Sequence, residues 1–175
     1  GLRFVGRRAA DFLADLNPLT PRNTREEHLR SPQFHREIFH HREEHLLASA
    51  ARRLKRRLEG RMDSFQAFNE CQNHLLALAR AHVERIVVEE FRRAVERVEE
   101  PEIRDVLQLL CDLFTLWRIE ADAAWFLAAG EMEAGKARAV RKLVDRLCGE
   151  VRRQALPLVA AFGIPEECLP AIALS

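Results

Sequence analysis

A chain of 175 residues is long enough to bury a core, and its length predicts a single domain. Hydrophobic residues make up 47% and charged residues 31%, which argues against disorder. The 28 basic and 27 acidic residues leave a net charge of +1, whereas a dedicated nucleic-acid-binding protein is usually more basic. The uncharged run at 154–165 is too short to span a bilayer and contains two prolines and a glycine. We therefore expect neither nucleic acid nor a membrane as a partner.

Features at the two ends of the chain bear on its location. No signal-peptide pattern opens the sequence, and the last three residues, Ala173 to Ser175, do not match the Ser-Lys-Leu peroxisomal signal. These features predict a cytoplasmic protein. The first residue is Gly1 rather than Met, and a helical pattern begins almost at once, so we expect a fragment of a longer protein or a processed product.

Cysteine spacing gives no sign of a metal site. The sequence contains four cysteines, and none of them forms a Cys-x-x-Cys pair. They are Cys71, Cys111, Cys148 and Cys168. Three lie within apolar helical patterns, where a free thiol behaves as a small buried hydrophobe, so we expect reduced core cysteines rather than disulfides or zinc.

Helical periodicity begins near the N-terminus. Apolar residues predict a first helix over 2–16, and the Pro- and Asn-containing segment 17–24 then interrupts it. Ser31 and Pro32 are typical of an N-cap and first helical position, so a long helix is expected from here to Glu59, with Gly60 as its stop.

The third predicted helix begins at Asp63, with Gln66 placed as in a capping box, and reaches about Val98 before Pro101. Its length would be about 50 Å at ~1.5 Å per residue. We expect its buried face to contain the residues that recur near helical spacing. These are Phe65, Phe68, Leu75, Ala79, His82, Ile86 and Val95.

The fourth predicted helix is apolar around much of its circumference and ends at Gly130. Its main apolar residues are Ile103, Val106, Leu107, Leu110, Phe114, Trp117, Ala121, Trp125 and Ala128, with Leu109, Leu113, Leu116 and Ile119 extending the surface. A fifth helix starts near Glu133, and Pro157 should kink or interrupt it. The fold class predicted is all-α: an up-and-down bundle of four long helices plus an N-terminal helix.

Two short motifs could hold a metal. His41, Glu44 and His45 match the His-x-x-Glu-His pattern, in which two histidines at i and i+4 share a helix face beside a glutamate base. The alternative is a charged helix face, which we favour because no distant ligand is marked. Glu37 and His40 form one Glu-x-x-His motif, but a di-iron bundle needs a second motif and two further glutamates.

A basic cluster at 52–57 could bind phosphate, either in nucleic acid or in a coenzyme A tail. It consists of Arg52, Arg53, Lys55, Arg56 and Arg57. We favour a solvated face that pairs with acids on a neighbouring helix or subunit, because the total charge is near neutral. His82 and Arg85, with Glu84, Glu89 and Glu90 nearby, are most simply packing and surface residues.

Four ordered blocks, at 42–58, 65–91, 110–132 and 146–169, resemble the C-terminal helical domain of the acyl-coenzyme A oxidases. The strongest is LCDLFTLWRIEADAAWFLAAGEM at 110–132. The blocks resemble a bacterial, actinobacterial type. Two departures occur, Ala160 in the Leu-Val-Ala-Ala-Phe run and Pro157 within the last helix.

The resemblance implies an FAD-dependent parent enzyme that forms trans-2-enoyl-CoA and hydrogen peroxide in fatty acid β-oxidation. It implies that the glutamate base and the main flavin contacts precede Gly1, so no catalytic, cofactor-binding or metal residue is assigned here. The implied partners are upstream FAD- and acyl-CoA-binding domains and a second subunit in a homodimer. Residues 1–30 would then connect to the preceding domain, and 31–175 would form the bundle. No cofactor is expected for the fragment alone, and the alternatives are a stand-alone interaction module and, more distantly, a metal-dependent hydrolase at His41 and His45.

Overall fold

The computed structural model describes residues 22–165, which form helices and turns without a strand. The helices are α1 (Glu26–Leu29), α2 (Pro32–Glu59), α3 (Ser64–Glu96), α4 (Pro101–Ala121), α5 (Ala123–Ala129), α6 (Ala134–Arg153) and α7 (Ala155–Ala160). The all-α prediction is confirmed. The helix predicted over 2–16 and the cysteine at 168 lie outside the described residues. No helix within 22–165 combines the length and low polarity needed to cross a membrane.

Capping side chains set the starts of the two longest helices, as predicted. The Ser31 hydroxyl accepts a hydrogen bond from the Phe34 N–H at 3.2 Å, and Pro32 occupies the first turn of α2. The Asp63 carboxylate accepts from the N–H groups of Phe65 and Gln66 at 3.0 and 3.2 Å, which starts α3. These bonds satisfy backbone donors that have no partner within the helix.

The end of α2 differs in detail from the prediction. Gly60 follows the last residue of the helix as expected, but its φ is −74°. The left-handed residue is Arg61, with φ of 61°. The N–H of Met62 bonds to the Arg57 carbonyl at 3.1 Å, and that of Arg61 bonds to the Leu58 carbonyl at 3.0 Å. This is the Schellman pattern with arginine in the position that glycine usually takes.

Two breaks shape the C-terminal half. The predicted continuous helix up to Gly130 is wrong, because α4 ends at Ala121 and α5 starts again after Asp122. Gly130 does end α5, with a left-handed φ of 77°. The interruption expected from Pro157 is confirmed, and α6 ends at Arg153. Proline cannot donate to the carbonyl four residues earlier, and its ring would clash there.

Neighbouring helices run antiparallel, as their cross-helix pairs show. Between α2 and α3, Arg42 pairs with Glu84 and Arg57 pairs with Glu70. The residue numbers rise along α2 while those of the partners fall along α3, as in antiparallel helices. The pairs Glu84–Arg118 and Arg92–Asp112 show the same for α3 and α4. The main apolar core lies between α2, α4 and α6 and is built from Phe34, Ile38, Phe39, Val88, Leu116, Ile119, Phe126, Val140, Leu143, Val144 and Leu147 with smaller neighbours.

The face predicted to be buried on α3 is wrong for most of its residues, although Val95 is buried. The apolar surface predicted around α4 is buried only in part, with Leu116 and Ile119 inside. Phe65 is 75% exposed, and Trp117 is 50% exposed. Phe68, Ile86 and Ile103 are also exposed, as are Ala79, His82, Ala121 and Ala128. The face that α3 buries carries small and charged residues, namely Ala67, Cys71, Ala81, Glu84, Val88, Arg92 and Val95. Helix α4 buries Cys111, Asp112, Thr115, Leu116, Arg118 and Ile119. Close approach of helices favours small side chains, and ion pairs between helices bring charged residues inward.

Arg61→Gly should stabilise the domain by about 1 kcal/mol, because glycine adopts the left-handed conformation without a Cβ penalty. Urea unfolding followed by circular dichroism measures the change. Gly130→Ala is the matched control, since it places a Cβ at another left-handed position and should destabilise by about 1 kcal/mol. An unchanged midpoint for both variants would contradict this description of the turns.

Candidate functional site

The most heavily connected polar cluster, which we call the Glu84 layer, joins α2, α3 and α4. It consists of Arg42, Glu84, Arg118 and Asp122, with Arg80 at its edge. The Arg42 guanidinium lies 2.7 Å from carboxylate oxygens of both Glu84 and Asp122. Arg118 also donates to Glu84 and lies 3.5 Å from Asp122. The side chains of Arg42, Glu84 and Arg118 are each about nine-tenths buried, at 7%, 11% and 10% exposure.

Glu84 is ionised within this layer. Burial by itself would raise the pKa of its carboxyl group, but the Arg80 hydrogen bond and the charges of Arg118 and Arg42 outweigh burial and lower it. Aromatic rings close the layer, because the Arg42 guanidinium lies 6.0 Å from the ring centroids of Trp125 and Phe126. Glu84 therefore supplies a fixed negative charge to the arginines of the layer.

A second cluster, the His35 layer, lies about two helical turns away and joins the same three helices. It consists of His35, Arg92, Asp112 and Arg30, with Gln108 at its edge. Asp112 accepts from Arg30 Nε at 2.9 Å and from Gln108 Nε2 at 2.7 Å. Burial raises the pKa of the Asp112 carboxyl group, and the bond from Arg30 opposes that effect.

His35 is fully buried and neutral. Its Nε2 lies 2.6 Å from the Leu29 carbonyl, which can only accept, so the proton is on Nε2. Its Nδ1 then accepts from Arg92 at 2.6 Å. Burial and the Arg92 charge lower the pKa of His35 to about 3. This tautomer ties the α1–α2 corner to α3.

A buried lysine lies beside the His35 layer. Lys136 Nζ lies 4.0 Å from the Phe34 ring centroid and 3.1 Å from Nε2 of His28. Burial lowers the pKa of Lys136 to about 8. Burial and the Lys136 charge lower the pKa of His28 to about 4, so neutral His28 accepts from the ammonium group.

The His-x-x-Glu-His motif does not converge on a metal. His41 and His45 share a face as predicted, with ring centroids 6.4 Å apart. His45 packs edge-on against Trp125, and Glu44 turns away to lie 3.3 Å from His40. His41 Nε2 lies 2.8 Å from a Glu131 oxygen, although not in the alignment of a hydrogen bond. Within 22–165, no three His, Cys, Asp or Glu side chains are grouped to hold a metal ion.

The remaining predicted groups form local contacts near the surface, and two of them share Glu43. Glu37 accepts from Gln33 at 3.1 Å rather than joining His40. His82 Nδ1 lies 2.7 Å from Glu43, and Arg85 pairs with Glu43 and with Glu89. Glu90 pairs with Arg93.

In the basic cluster, Arg57 lies 2.9 Å from Glu70 and Lys55 lies 3.6 Å from Glu59. Within the described range, Arg52, Arg53 and Arg56 have no acidic partner. Of the expected pairing with acids on a neighbouring helix or subunit, the described chain shows one pair between helices, that of Arg57, and pairing with a subunit stays a prediction.

Two cysteine predictions are confirmed and one is wrong. Cys71 and Cys111 are buried free thiols, whereas Cys148 is exposed on α6. Sequence patterning overlooked Arg42, Arg92, Arg118 and Asp112 as buried groups. On α3 the sequence does contain a signal for burial. Glu84 and Arg92 lie at helical spacing from the buried residues Cys71, Ala81 and Val88, so they continue the same face of the helix. No nucleophile with an adjacent base occurs among the residues of either layer, so the arrangement is suited to holding helices in register.

Glu84→Gln should destabilise the domain by about 3 kcal/mol, because it leaves two buried arginines, Arg42 and Arg118, with only the carboxylate of Asp122 between them. Glu90→Gln on the same helix is the control, since Glu90 is 57% exposed and should change stability by less than about 0.5 kcal/mol. Equal urea midpoints for the two variants would show that the layer does not stabilise the fold.

Stability should fall as pH drops below His35's unfolded pKa of 6.5. Because the folded pKa is about 3, the unfolded chain binds the proton first, so the contribution of His35 is complete above 6.5 and lost progressively towards 3. The expected loss from this residue is about 2 kcal/mol by about pH 5.

Denaturant titrations of the wild type, His35→Gln and His40→Gln across this range measure the effect. Asp112 has the opposite effect on the pH dependence of stability, because burial raises the pKa of its carboxyl group. The difference between the wild type and His35→Gln therefore gives the contribution of the histidine. His40→Gln removes a histidine that is 63% exposed on the same helix and should keep the wild-type slope. A wild-type slope in His35→Gln would exclude His35 as the origin.

A family model described as acyl-CoA oxidase matches residues 31–172. Peroxisomal acyl-coenzyme A oxidase 2 of Arabidopsis thaliana is 37% identical over 155 residues, which are 89% of this chain and 22% of that protein. Peroxisomal acyl-coenzyme A oxidase 2 of Rattus norvegicus is 33% identical over 125 residues, 71% of this chain and 18% of that protein. The chain thus spans about a fifth of the length of these relatives.

The fold agrees with this match. The crystal structure of acyl-CoA oxidase 1 from Yarrowia lipolytica aligns with a TM-score of 0.76 and 29% identity, covering 81% of this chain and 20% of that one. These relatives come from a plant, an animal and a yeast, so the actinobacterial type stays a prediction. The resemblance seen in the sequence blocks is confirmed at the level of the family: this chain belongs to the acyl-CoA oxidases.

Proposed function

We propose that this chain is the C-terminal helical domain of an FAD-dependent acyl-CoA oxidase, which converts acyl-CoA and O2 into trans-2-enoyl-CoA and H2O2 in fatty acid β-oxidation. The observation that carries the proposal is the family match over 31–172 in a chain that spans about a fifth of its relatives. In this proposal the catalytic glutamate belongs to the remainder of the parent enzyme. A bacterial, actinobacterial-type parent that acts in the cytoplasm is part of the same proposal.

The exposed surface of α3 and α4 supports a packing role. Val83, Val87 and Trp117 are 57%, 41% and 50% exposed, and Ile86 lies between the two valines. Large apolar side chains that recur along one face are typical of a surface that another protein surface covers. We propose that the upstream FAD- and acyl-CoA-binding domains and a second subunit of a homodimer pack here.

The cleft at the start of α4 does not fit a flavin diphosphate. A cleft of about 590 Å³ lies between the start of α4 and α7 and is lined mainly by apolar side chains, including Val106 and Leu158. Its charged lining residues are Glu102 and Asp105, whose carboxylates would repel a diphosphate. No flavin contact is therefore assigned to this cleft, and the FAD site is proposed for the remainder of the parent.

A stand-alone interaction module is the second candidate, because one relative has a similar length. Another Arabidopsis thaliana protein named for acyl-coenzyme A oxidase is 32% identical over 160 residues, which are 90% of this chain and 84% of that protein. A domain of this kind would use the apolar surface of α4 and the basic cluster at 52–57 to bind a separate partner and would have no oxidase activity.

The isolated chain, incubated with FAD and a fatty acyl-CoA, should form no peroxide, because neither layer offers a base beside a substrate cleft. A protein that adds the upstream reading frame should form peroxide in the same peroxidase-coupled assay. Peroxide from the isolated chain, or none from a flavin-loaded longer protein, would contradict the proposal.

Hydrophobic-dye fluorescence separates the two candidates in the isolated chain. A domain that has lost its packing partners should bind dye, and Val83→Ser with Val87→Ser should reduce the signal. A clean monomer or defined dimer without dye binding would favour the interaction module.

A further inference from the structure

The α2–α3 hairpin projects beyond the rest of the described bundle. Arg118 pairs with Glu84, so in the antiparallel arrangement the end of α4 at Ala121 lies level with about Ala81. Phe65 is then about 25 Å further along α3 at ~1.5 Å per residue. In this distal half the buried side chains of the described chain are small, with Ala50 from α2 and Ala67 and Cys71 from α3.

Most of the basic residues at the tip of this hairpin have no acidic partner within the described chain. Residues 52–61 contain six basic residues and a single acid, Glu59. Glu59 pairs with Lys55, and Arg57 pairs with Glu70 across the hairpin. Arg52, Arg53 and Arg56 are exposed, and no acid of the described chain lies within ion-pair distance of them. All three lie within about 12 Å of the turn, given their distance in sequence from Gly60.

Exposed aromatic side chains occupy the same end of the hairpin as these arginines. Phe65 and Phe68, in the first turns of α3, are 75% and 53% exposed, and Leu58 at the end of α2 is 44% exposed. Phenylalanine is rarely left this exposed, and here both rings occupy the end of a projection that the other helices within 22–165 do not reach. The tip therefore presents cationic and apolar groups together.

We propose that the tip of the α2–α3 hairpin docks on an anionic phospholipid surface. Arginines attract the headgroup charge, and apolar side chains such as Phe65 and Phe68 can enter the boundary between headgroups and acyl chains. A soluble polyanion would use the arginines alone and would leave the phenylalanines in water. The pairing of both kinds of group at one projecting end favours the lipid surface.

This inference reverses the expectation from composition that no membrane is a partner. A net charge of +1 averages over the chain, whereas Arg52, Arg53 and Arg56 lie close together near one end of the hairpin. Peripheral docking requires no spanning helix. The test is separate from that of the proposed oxidase function, because it measures lipid binding and not peroxide.

Co-sedimentation of the 175-residue chain with vesicles tests the proposal. The chain should bind vesicles that contain phosphatidylserine and not those of phosphatidylcholine alone, and added salt should weaken binding. Replacing Arg52, Arg53 and Arg56 by Gln should weaken the partition coefficient roughly a hundredfold, at about fivefold per charge. Phe65→Ser with Phe68→Ser should also reduce binding while leaving the charge unchanged.

The matched control replaces three exposed basic residues of α6, Arg138, Lys142 and Arg152, by Gln. It changes the net charge equally and should retain vesicle binding. Helical circular dichroism checks that every variant folds, and glutamine keeps helix propensity close to that of arginine. Equal loss in the control, or binding that ignores the lipid charge, would overturn the proposal. If the chain binds heparin as tightly as vesicles, and the phenylalanine substitutions change neither, the ligand of the tip would be a soluble polyanion and not a lipid surface.

Discussion

The bundle depends on one shared carboxylate, that of Glu84. It receives Arg42 from α2 and Arg118 from α4, and the same arginines reach Asp122 at the break before α5. Sliding any of these helices by one residue would leave a buried charge without its partner, which costs several kcal/mol. The His35 layer repeats the constraint about two turns away with a neutral imidazole. Together the layers fix both the register and the order of α2, α3 and α4.

The acid that ends α4 shows how this constraint reaches the local structure. Asp122 interrupts a segment whose apolar pattern continues to Gly130. Its carboxylate lies 2.7 Å from Arg42, so the break directs a charge into the layer and brings Trp125 and Phe126 over the same guanidinium. The side of the layer that would face solvent is thereby closed with aromatic rings.

Sequence alone could predict the ends of helices better than their buried faces. Ser31, Asp63 and Gly130 act through local backbone geometry, which the sequence specifies within a few residues. The inward face of α3 depends on what packs against it, and large apolar residues such as Phe65 proved less informative than Ala81 and Glu84. The family could be recognised because four blocks kept their order.

The candidate metal motif failed for a related reason. Spacing correctly placed His41 and His45 on one face, but coordination needs ligands from other elements. The neighbours that the fold supplies are Trp125 for one ring and Glu131 for the other. Arg42, between the two histidines in the motif, turned out to be a central structural residue.

The projecting hairpin has a consequence for how the domain opens. Its distal half is held by the small side chains of Ala50, Ala67 and Cys71, and it lies beyond both charged layers. Segments with little buried apolar surface open at a fraction of the global unfolding free energy. Amide hydrogens near Arg53 and Phe68 should therefore exchange with solvent while those near Glu84 and Leu116 remain protected. We therefore expect the distal end of the hairpin to open locally while the junction of α2, α3 and α4 stays closed.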